Sequence, residues 1–145
     1  MIYLGADHRG YGLKEDVKKL LEQEKIEFQD LGNLKYDEED DYPDFAKKVT
    51  EKISSNSKKD KGILICGTGI GMSIAANKIK EVRAGLCLSS YMAKKAVEAN
   101  DINILCLAAD ITDVGTSKKI IKQWLKAKFK NEERDKRRLS KITKF

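Results

Sequence analysis

A cysteine followed by alternating glycines, Cys66-Gly67-Thr68-Gly69-Ile70-Gly71, is the stretch of this sequence best suited to chemistry. Glycines at every second position let successive backbone N–H groups converge. A helix opening directly after them adds positive potential, so the turn can hold a phosphate or a developing oxyanion. Cys66 closes the apolar run Gly62-Ile63-Leu64-Ile65 that feeds the turn. A free cysteine is often a small buried hydrophobe, the reading given to Cys87 and Cys106 inside their own apolar runs. At the mouth of an anion-holding turn the same residue becomes a candidate reactive thiolate, since a helix N-terminus lowers a thiol pKa. Nucleotide readings of the turn fail on spacing. The glycines run Gly-x-Gly-x-Gly rather than Gly-x-Gly-x-x-Gly, the next strand ends in Leu88-Ser89-Ser90 without an acid to hold a ribose, and no P-loop lysine follows.

Other polar groups lie at strand ends. Asp7-His8 close the first apolar run, and His8 is the one histidine of the chain. Beside an aspartate and an anion nest it can bind phosphate or hydroxyls; a lone histidine is also often structural. Tyr42, between Asp41 and Pro43, reads as a loop tyrosine. Asn100-Asp101 stand just before the fifth strand, on the opposite side of the sheet unless the preceding helix returns them. Three cysteines without paired spacing predict neither a disulfide framework nor a zinc site.

The elements that must position these residues follow from periodicity. Short β-branched runs (2–6, 26–28, 62–66, 82–88, 102–107) alternate with helical patterns (12–24, 45–53, the stretch after the glycine turn through Ile79, 90–99, 114–129). The acidic stretch Asp37 to Asp41 reads as a solvated loop and Ser54 to Lys61 as a polar one. Five such alternations predict an α/β protein: a Rossmann-like, doubly wound three-layer α/β/α sandwich around a five-stranded parallel sheet. With 145 residues, 41% hydrophobic and 36% charged, the chain suits one domain with a real core. We expect a single domain over residues 1–130, with 131–145 a basic arm belonging to it. No apolar run approaches the roughly 20 residues of a membrane helix, and Met1 leads straight into a strand-like run, so a soluble cytoplasmic protein without a membrane partner is expected.

The net charge of +6 is concentrated at the end of the chain. Residues 126–145 carry nine basic side chains against three acidic ones, and the remainder is balanced. Such a tail suits an anion, whether nucleic acid, an acidic surface or a substrate phosphate; a solvated helix end with favourable terminal charges is the plainer reading. Nucleic acid is disfavoured, because aromatic interleaving and any recognised reading motif are missing.

Taken in order, these residues resemble ribose-5-phosphate isomerase of type B and its relatives, which include galactose-6-phosphate and allose-6-phosphate isomerases. The likeness runs through Ala6-Asp7-His8 with Gly10 and Lys14, Asp41-Tyr42-Pro43, the long stretch Ile63 to Lys78, Asn100 to Leu105, and the Arg134/Arg138 pair. It covers essentially the whole chain; the long stretch is specific, and the short ones gain weight from their order. The resemblance implies interconversion of ribose 5-phosphate and ribulose 5-phosphate through a cis-enediolate, with no metal and no organic cofactor. It implies Cys66 as the base that moves a proton between C1 and C2. The N–H groups of Gly67, Gly69, Ile70 and Gly71 would hold the enediolate oxygen, and the Thr68 hydroxyl would relay or position the hydroxyl proton. Some relatives use a glutamate where this chain has Met72, so the chain resembles the cysteine branch. Asp7 and Tyr42 would bind sugar hydroxyls, Asn100 the oxygens near the reacting end, and His8, Arg134 and Arg138 the phosphate. Relatives are dimers or tetramers that share sites, which implies a homodimer or homotetramer in which some of these residues serve a neighbour.

Two positions depart from that family. Ala99 stands where a histidine implicated in opening the furanose ring is usual in that family, and Asp110 where an arginine usually reaches the phosphate in the neighbouring site. An acid at 110 is expected to repel phosphate. Ring opening is then left to solution or to Asp7, the substrate is short or already open-chain, or the chain is a subunit of partial function. An isomerase of another aldose phosphate (tetrose or hexose 6-phosphate) and a partner subunit of a hetero-oligomeric isomerase therefore stand beside the ribose 5-phosphate reading.

Overall fold

Uniformly apolar strands need cover on both faces. The chain supplies that cover by alternating strand and helix. In the computed structural model, which describes residues 1–55 and 59–145, five strands form one sheet: β1 (Ile2–Ala6), β2 (Phe28–Asp30), β3 (Lys61–Cys66), β4 (Ala84–Leu86) and β5 (Ile104–Ala108). All pairings are parallel and the order is β2-β1-β3-β5-β4. The helices are α1 (Tyr11–Gln23), α2 (Tyr42–Ser55), α3 (Ile70–Ala76), α4 (Ser90–Asn100), α5 (Val114–Lys126) and α6 (Glu133–Ile142).

Side-chain alternation along the strands divides the core into two layers. Ile63, Ile65, Leu105 and Leu107 face one way, under Leu13, Val17 and Leu21 of α1, Val97 of α4 and the fully buried Trp124 of α5. Leu64, Cys66, Ile104 and Cys106 face the other, under Val49 and Ile53 of α2 and Met72 and Ala76 of α3. The expected three-layer α/β/α sandwich is thus observed. Cys87 and Cys106 are buried as expected. Burial pushes the Cys87 thiol up to about 11 and the Cys106 thiol higher still. All three cysteines are free.

Several boundaries move for identifiable reasons. The helix after the glycine turn ends at Ala76 instead of Ile79. Asn77 leaves it to stitch β4 in place, donating from Nδ2 to Ala84 O at 3.0 Å and accepting from Ala84 N at 2.9 Å. β4 starts late because the Arg83 N–H is taken by Asn103 Oδ1 at 2.8 Å. Tyr42 is not a loop residue: it opens α2, with Pro43 in the first turn, where its missing N–H costs nothing. Ser54 and Ser55 belong to α2 and Lys61 to β3; residues 56–58 of that expected polar loop lie outside the described residues. The basic arm contains a helix, α6, that packs against α4.

The chain leaves β1 through α1 to reach β2 and returns through α2 to β3 on the other side. This reversal of strand order opens a crevice beyond the carboxyl ends of β1 and β3. Asp7-His8 and Cys66 stand at those two ends.

Candidate active site

β3 delivers Cys66 to the top of the sheet, where the chain turns through Gly67–Gly69 into α3. Cys66 is only 5% exposed, at the floor of this turn. Its sulfur is not sealed in hydrocarbon alone, because the Gly69 N–H donates to Sγ at 3.1 Å. Gly69 adopts φ +72, and a Cβ there would lie 2.5 Å from Leu86 Cδ1 and 3.0 Å from Leu107 O. Only glycine makes the bend that aims this N–H at sulfur. The Ile70 N–H donates to Thr68 Oγ1 at 3.4 Å, and Thr68 is exposed above the turn. Two of the four amides assigned to an enediolate oxygen are therefore occupied within the turn itself.

Tyr42 reaches the same place from α2. Its ring packs on Gly71 so closely that a Cβ there would lie 2.7 Å from Cζ. Asp7 follows β1 and lies beside the end of β3, its N–H donating to Ile65 O at 3.3 Å. Burial pushes the Asp7 carboxyl above the ordinary range, against the pull of a 3.0 Å hydrogen bond from the Gly10 N–H. His8 contacts Asp40 twice. Asp40 Oδ1 pairs with His8 Nδ1 at 2.7 Å and accepts from the His8 N–H at 3.0 Å. That hydrogen bond raises the His8 pKa above its ordinary 6.5.

Asp40 is a finding the sequence did not announce, because it lies in the acidic stretch read as a solvated loop; its side chain is only 8% exposed. A chain of polar contacts behind it explains its position. Asp40 Oδ2 accepts from Asn33 Nδ2 at 2.7 Å, and Asn33 O accepts from the fully buried Lys14 Nζ at 2.6 Å. Lys14 also donates to both oxygens of Asp30 at 2.7 Å. Burial alone would raise the Asp30 pKa, but hydrogen bonds from Lys14 and the Gly32 N–H outweigh it and hold the carboxyl below its usual range. The pairing of Asp7, His8 and Asp40 brings one ligand atom from each within 4.8 Å of the others, close enough to hold a cation. Asp40 already spends both oxygens on His8 and Asn33, so hydrogen bonds account for the cluster as it stands.

Arg9 is the second residue the sequence did not single out. Its Nη2 donates to Asp110 Oδ2 in an ion pair beside the turn. Asp110 was expected to repel phosphate; its charge is instead met by a guanidinium.

Asn100 is not brought to Cys66 within one chain, and Arg134 and Arg138 are engaged on their own helix. Asn100 ends α4 on the side where strands begin: Ile104, four residues on, pairs with Gly62 at the start of β3, whereas Cys66 pairs with Ala108. At about 3.3 Å per residue, roughly 13 Å of strand separates the two levels. Arg134 and Arg138 share one exposed face of α6 and flank the buried Asp135, whose Oδ1 lies 3.7 and 3.8 Å from their nitrogens. Among the described residues, their ion-pair partners are Glu132 and Asp135. A cleft of about 510 Å³ opens at this strand-start end, lined in part by Arg83, Asp101, Asn103 and Lys128.

Comparison with known proteins bears on the chain as a whole. Residues 2–142 match the family described as Ribose/Galactose Isomerase. A Listeria innocua ribose-5-P isomerase B is 39% identical over 128 residues, 88% of this chain and 85% of the relative. The crystal structure of ribose-5-phosphate isomerase B from Mycoplasma genitalium with bound ribulose-5-phosphate superposes with a TM-score of 0.95 at 41% identity, covering 99% of this chain and 93% of that one. The Clostridium thermocellum ribose-5-phosphate isomerase B gives 0.94 at 42% identity, covering 99% and 95%.

Proposed function

The chain belongs to the ribose/galactose isomerase family, and from that membership we propose that it interconverts ribose 5-phosphate and ribulose 5-phosphate through an enediolate, with Cys66 as the base. The observation that carries this reading is the Gly69 N–H held 3.1 Å from Cys66 Sγ at the carboxyl end of β3. A base that removes a proton beside a carbonyl needs a fixed position, and the enediolate it creates needs donors already aimed at its oxygen. The glycine turn supplies both requirements from backbone, which cannot swing away as a side chain can.

The proton on C2 of the open-chain aldose passes to Cys66 Sγ and returns to C1, while the proton on the C2 hydroxyl shifts to the C1 oxygen with help from the Thr68 hydroxyl. N–H groups of the turn hold the oxygen as charge builds on it. Asp7 and Tyr42 bind sugar hydroxyls. Ring opening, for which Ala99 offers no polar side chain, falls to Asp7 or to solution; burial raises the Asp7 pKa, the direction that favours a carboxyl able to give a proton to the ring oxygen.

His8 contributes positive charge to the phosphate through its partnership with Asp40. Asp40 and Asp110 stand at the same end of the sheet, paired with His8 and Arg9, so those two cations do not leave it with the excess of positive charge that a phosphate dianion requires. Arg134, Arg138 and Asn100 therefore complete the site from a second copy of the chain, in a homodimer or homotetramer. This arrangement explains why Asn100 lies at the level of the strand starts and why the two arginines share an exposed helix face.

The test is direct. Purified protein incubated with ribose 5-phosphate in deuterated water forms ribulose 5-phosphate and exchanges the transferred hydrogen with solvent; protein that does neither contradicts the proposal. Because Ala99 leaves the ring-opening group open, the same assay run on tetrose, pentose and hexose phosphates decides among aldose substrates.

A further inference from the structure

Arg9 stands over the glycine turn, and the mechanism above gives it no task. We propose that Arg9 is a substrate-binding residue of this site, its guanidinium held above Gly67 by Asp110 and presented to the phosphate of the sugar. The inference rests on the sugar-phosphate reading of the site.

The placement is tight. A Cβ on Gly67 would lie 2.6 Å from Arg9 Nε, 3.1 Å from Arg9 Cδ and 2.6 Å from Asp110 Oδ2, so the ion pair closes directly onto the first residue of the turn. Asp110 is itself tied to that residue, its N–H donating to Gly67 O at 2.9 Å. One end of Asp110 thus grips the turn while its carboxylate accepts from Arg9 Nη2. A guanidinium carries five N–H donors in a planar fork, and this single pairing leaves donors over for a ligand.

Depth decides which part of the ligand Arg9 meets. Cys66 lies at the floor of the site, 5% exposed, while the Arg9 side chain is 57% exposed at the rim. Reacting carbons must lie over the sulfur, so the far end of an extended phosphorylated sugar arrives at the rim. Charge points the same way. Asp110 alone would turn a bare carboxylate toward an anion, whereas paired with Arg9 it fixes a fork shaped for phosphate oxygens. His8, the preceding residue, adds a second cation whenever it is protonated.

Arg9→Ala, Arg9→Lys and the double variant Arg9→Ala/Asp110→Ala test the assignment against the wild-type chain with two readouts. One is KM and kcat for ribose 5-phosphate. The other is the concentration of inorganic phosphate that halves the alkylation rate of Cys66 by iodoacetamide. A lost charge-assisted hydrogen bond predicts that Arg9→Ala and the double variant each raise KM and the protecting phosphate concentration about tenfold or more, with kcat reduced by much less. Arg9→Lys falls between, because it keeps the charge and loses the fork. Unchanged KM and protection in Arg9→Ala overturn the assignment. Recovery of wild-type values in the double variant also overturns it, since Arg9 would then serve only to neutralise Asp110. The alkylation readout needs no turnover, so a wild-type protein inactive on ribose 5-phosphate defeats the reading of the reaction while the role of Arg9 is still decided.

Discussion

The two ends of the sheet are built to opposite specifications. At the carboxyl end, Cys66, Asp7 and the Gly69 N–H are buried or backbone-fixed, and glycine lets Tyr42, Arg9 and Asp110 press onto the turn. At the other end and along α6, Asn100, Arg134 and Arg138 are exposed and reach outward on flexible stems. Groups that move protons need fixed geometry and little water, since each misaligned donor loses transition-state stabilisation. Groups that catch a phosphate can wait in solvent, because charge acts at longer range and the final pairing forms only on binding. On the proposed reading, one chain carries the chemical groups at the carboxyl end of the sheet, with His8 and Arg9 at their rim, and a further capturing set on α6 and the end of α4.

The sharpest way to break this division is to remove the sulfur. Cys66→Ala should lower kcat by about 10³-fold, within the 10²–10⁴ range of a positioned base, with KM little changed and the melting temperature near that of the wild type. An equal loss in kcat from the tail arginines would erase the distinction. Gly69→Ala comes next. An alanine at φ +72 meets Leu86 and Leu107 and moves the N–H off sulfur. Turnover should fall about 10²-fold, and stability by about 1–2 kcal/mol from the left-handed backbone alone, read by steady-state kinetics and urea unfolding. Arg134→Ala/Arg138→Ala should act on the other axis, raising KM about tenfold or more with a much smaller effect on kcat.

The smallest expected effect concerns pH. The hydrogen bond from Asp40 raises the His8 pKa, so the imidazolium is fully present below the ordinary 6.5 and is lost only as pH climbs through the raised value. Stability and phosphate affinity that depend on the charged form follow the same course. KM should rise across that window, and Asp40→Asn should move the rise to lower pH, as measured by KM against pH. A KM profile that Asp40→Asn leaves in place would remove His8 from the phosphate.

The chemical half was the more legible of the two in the sequence. Local geometry carries it: a buried parallel strand ending in cysteine and alternating glycines specifies the turn within six residues, although residue type does not say that Gly69, rather than Gly67 or Gly71, takes the left-handed bend. Tyr42 was recognisable as a residue of interest but not as one resting on Gly71, because that contact depends on how α2 crosses the sheet. Asp40 was misread, and the partner of Asp110 was missed, for a related reason. An acid in a charged loop looks solvated until folding brings Asn33 and His8 to within hydrogen-bonding distance, and Arg9 reaches Asp110 only across the fold. α6 was missed because its residues are almost entirely polar, leaving no apolar period to follow, yet that helix is what sets Arg134 and Arg138 on one face. Asn100 posed the converse problem. Its position before the fifth strand already placed it away from Cys66, and in the proposed function a second chain reconciles that position with the site.

Mixing two crippled proteins tests the account most directly. Cys66→Ala and Arg134→Ala/Arg138→Ala are each purified, partly dissociated together, reassembled, and assayed with ribose 5-phosphate at a concentration where neither variant alone turns over measurably. If one site takes its base from one chain and its arginines from another, mixed assemblies contain some sites with both, and activity returns in the mixture. A mixture no more active than its components would mean that each chain builds its site alone, and the division between the two ends of the sheet would be wrong.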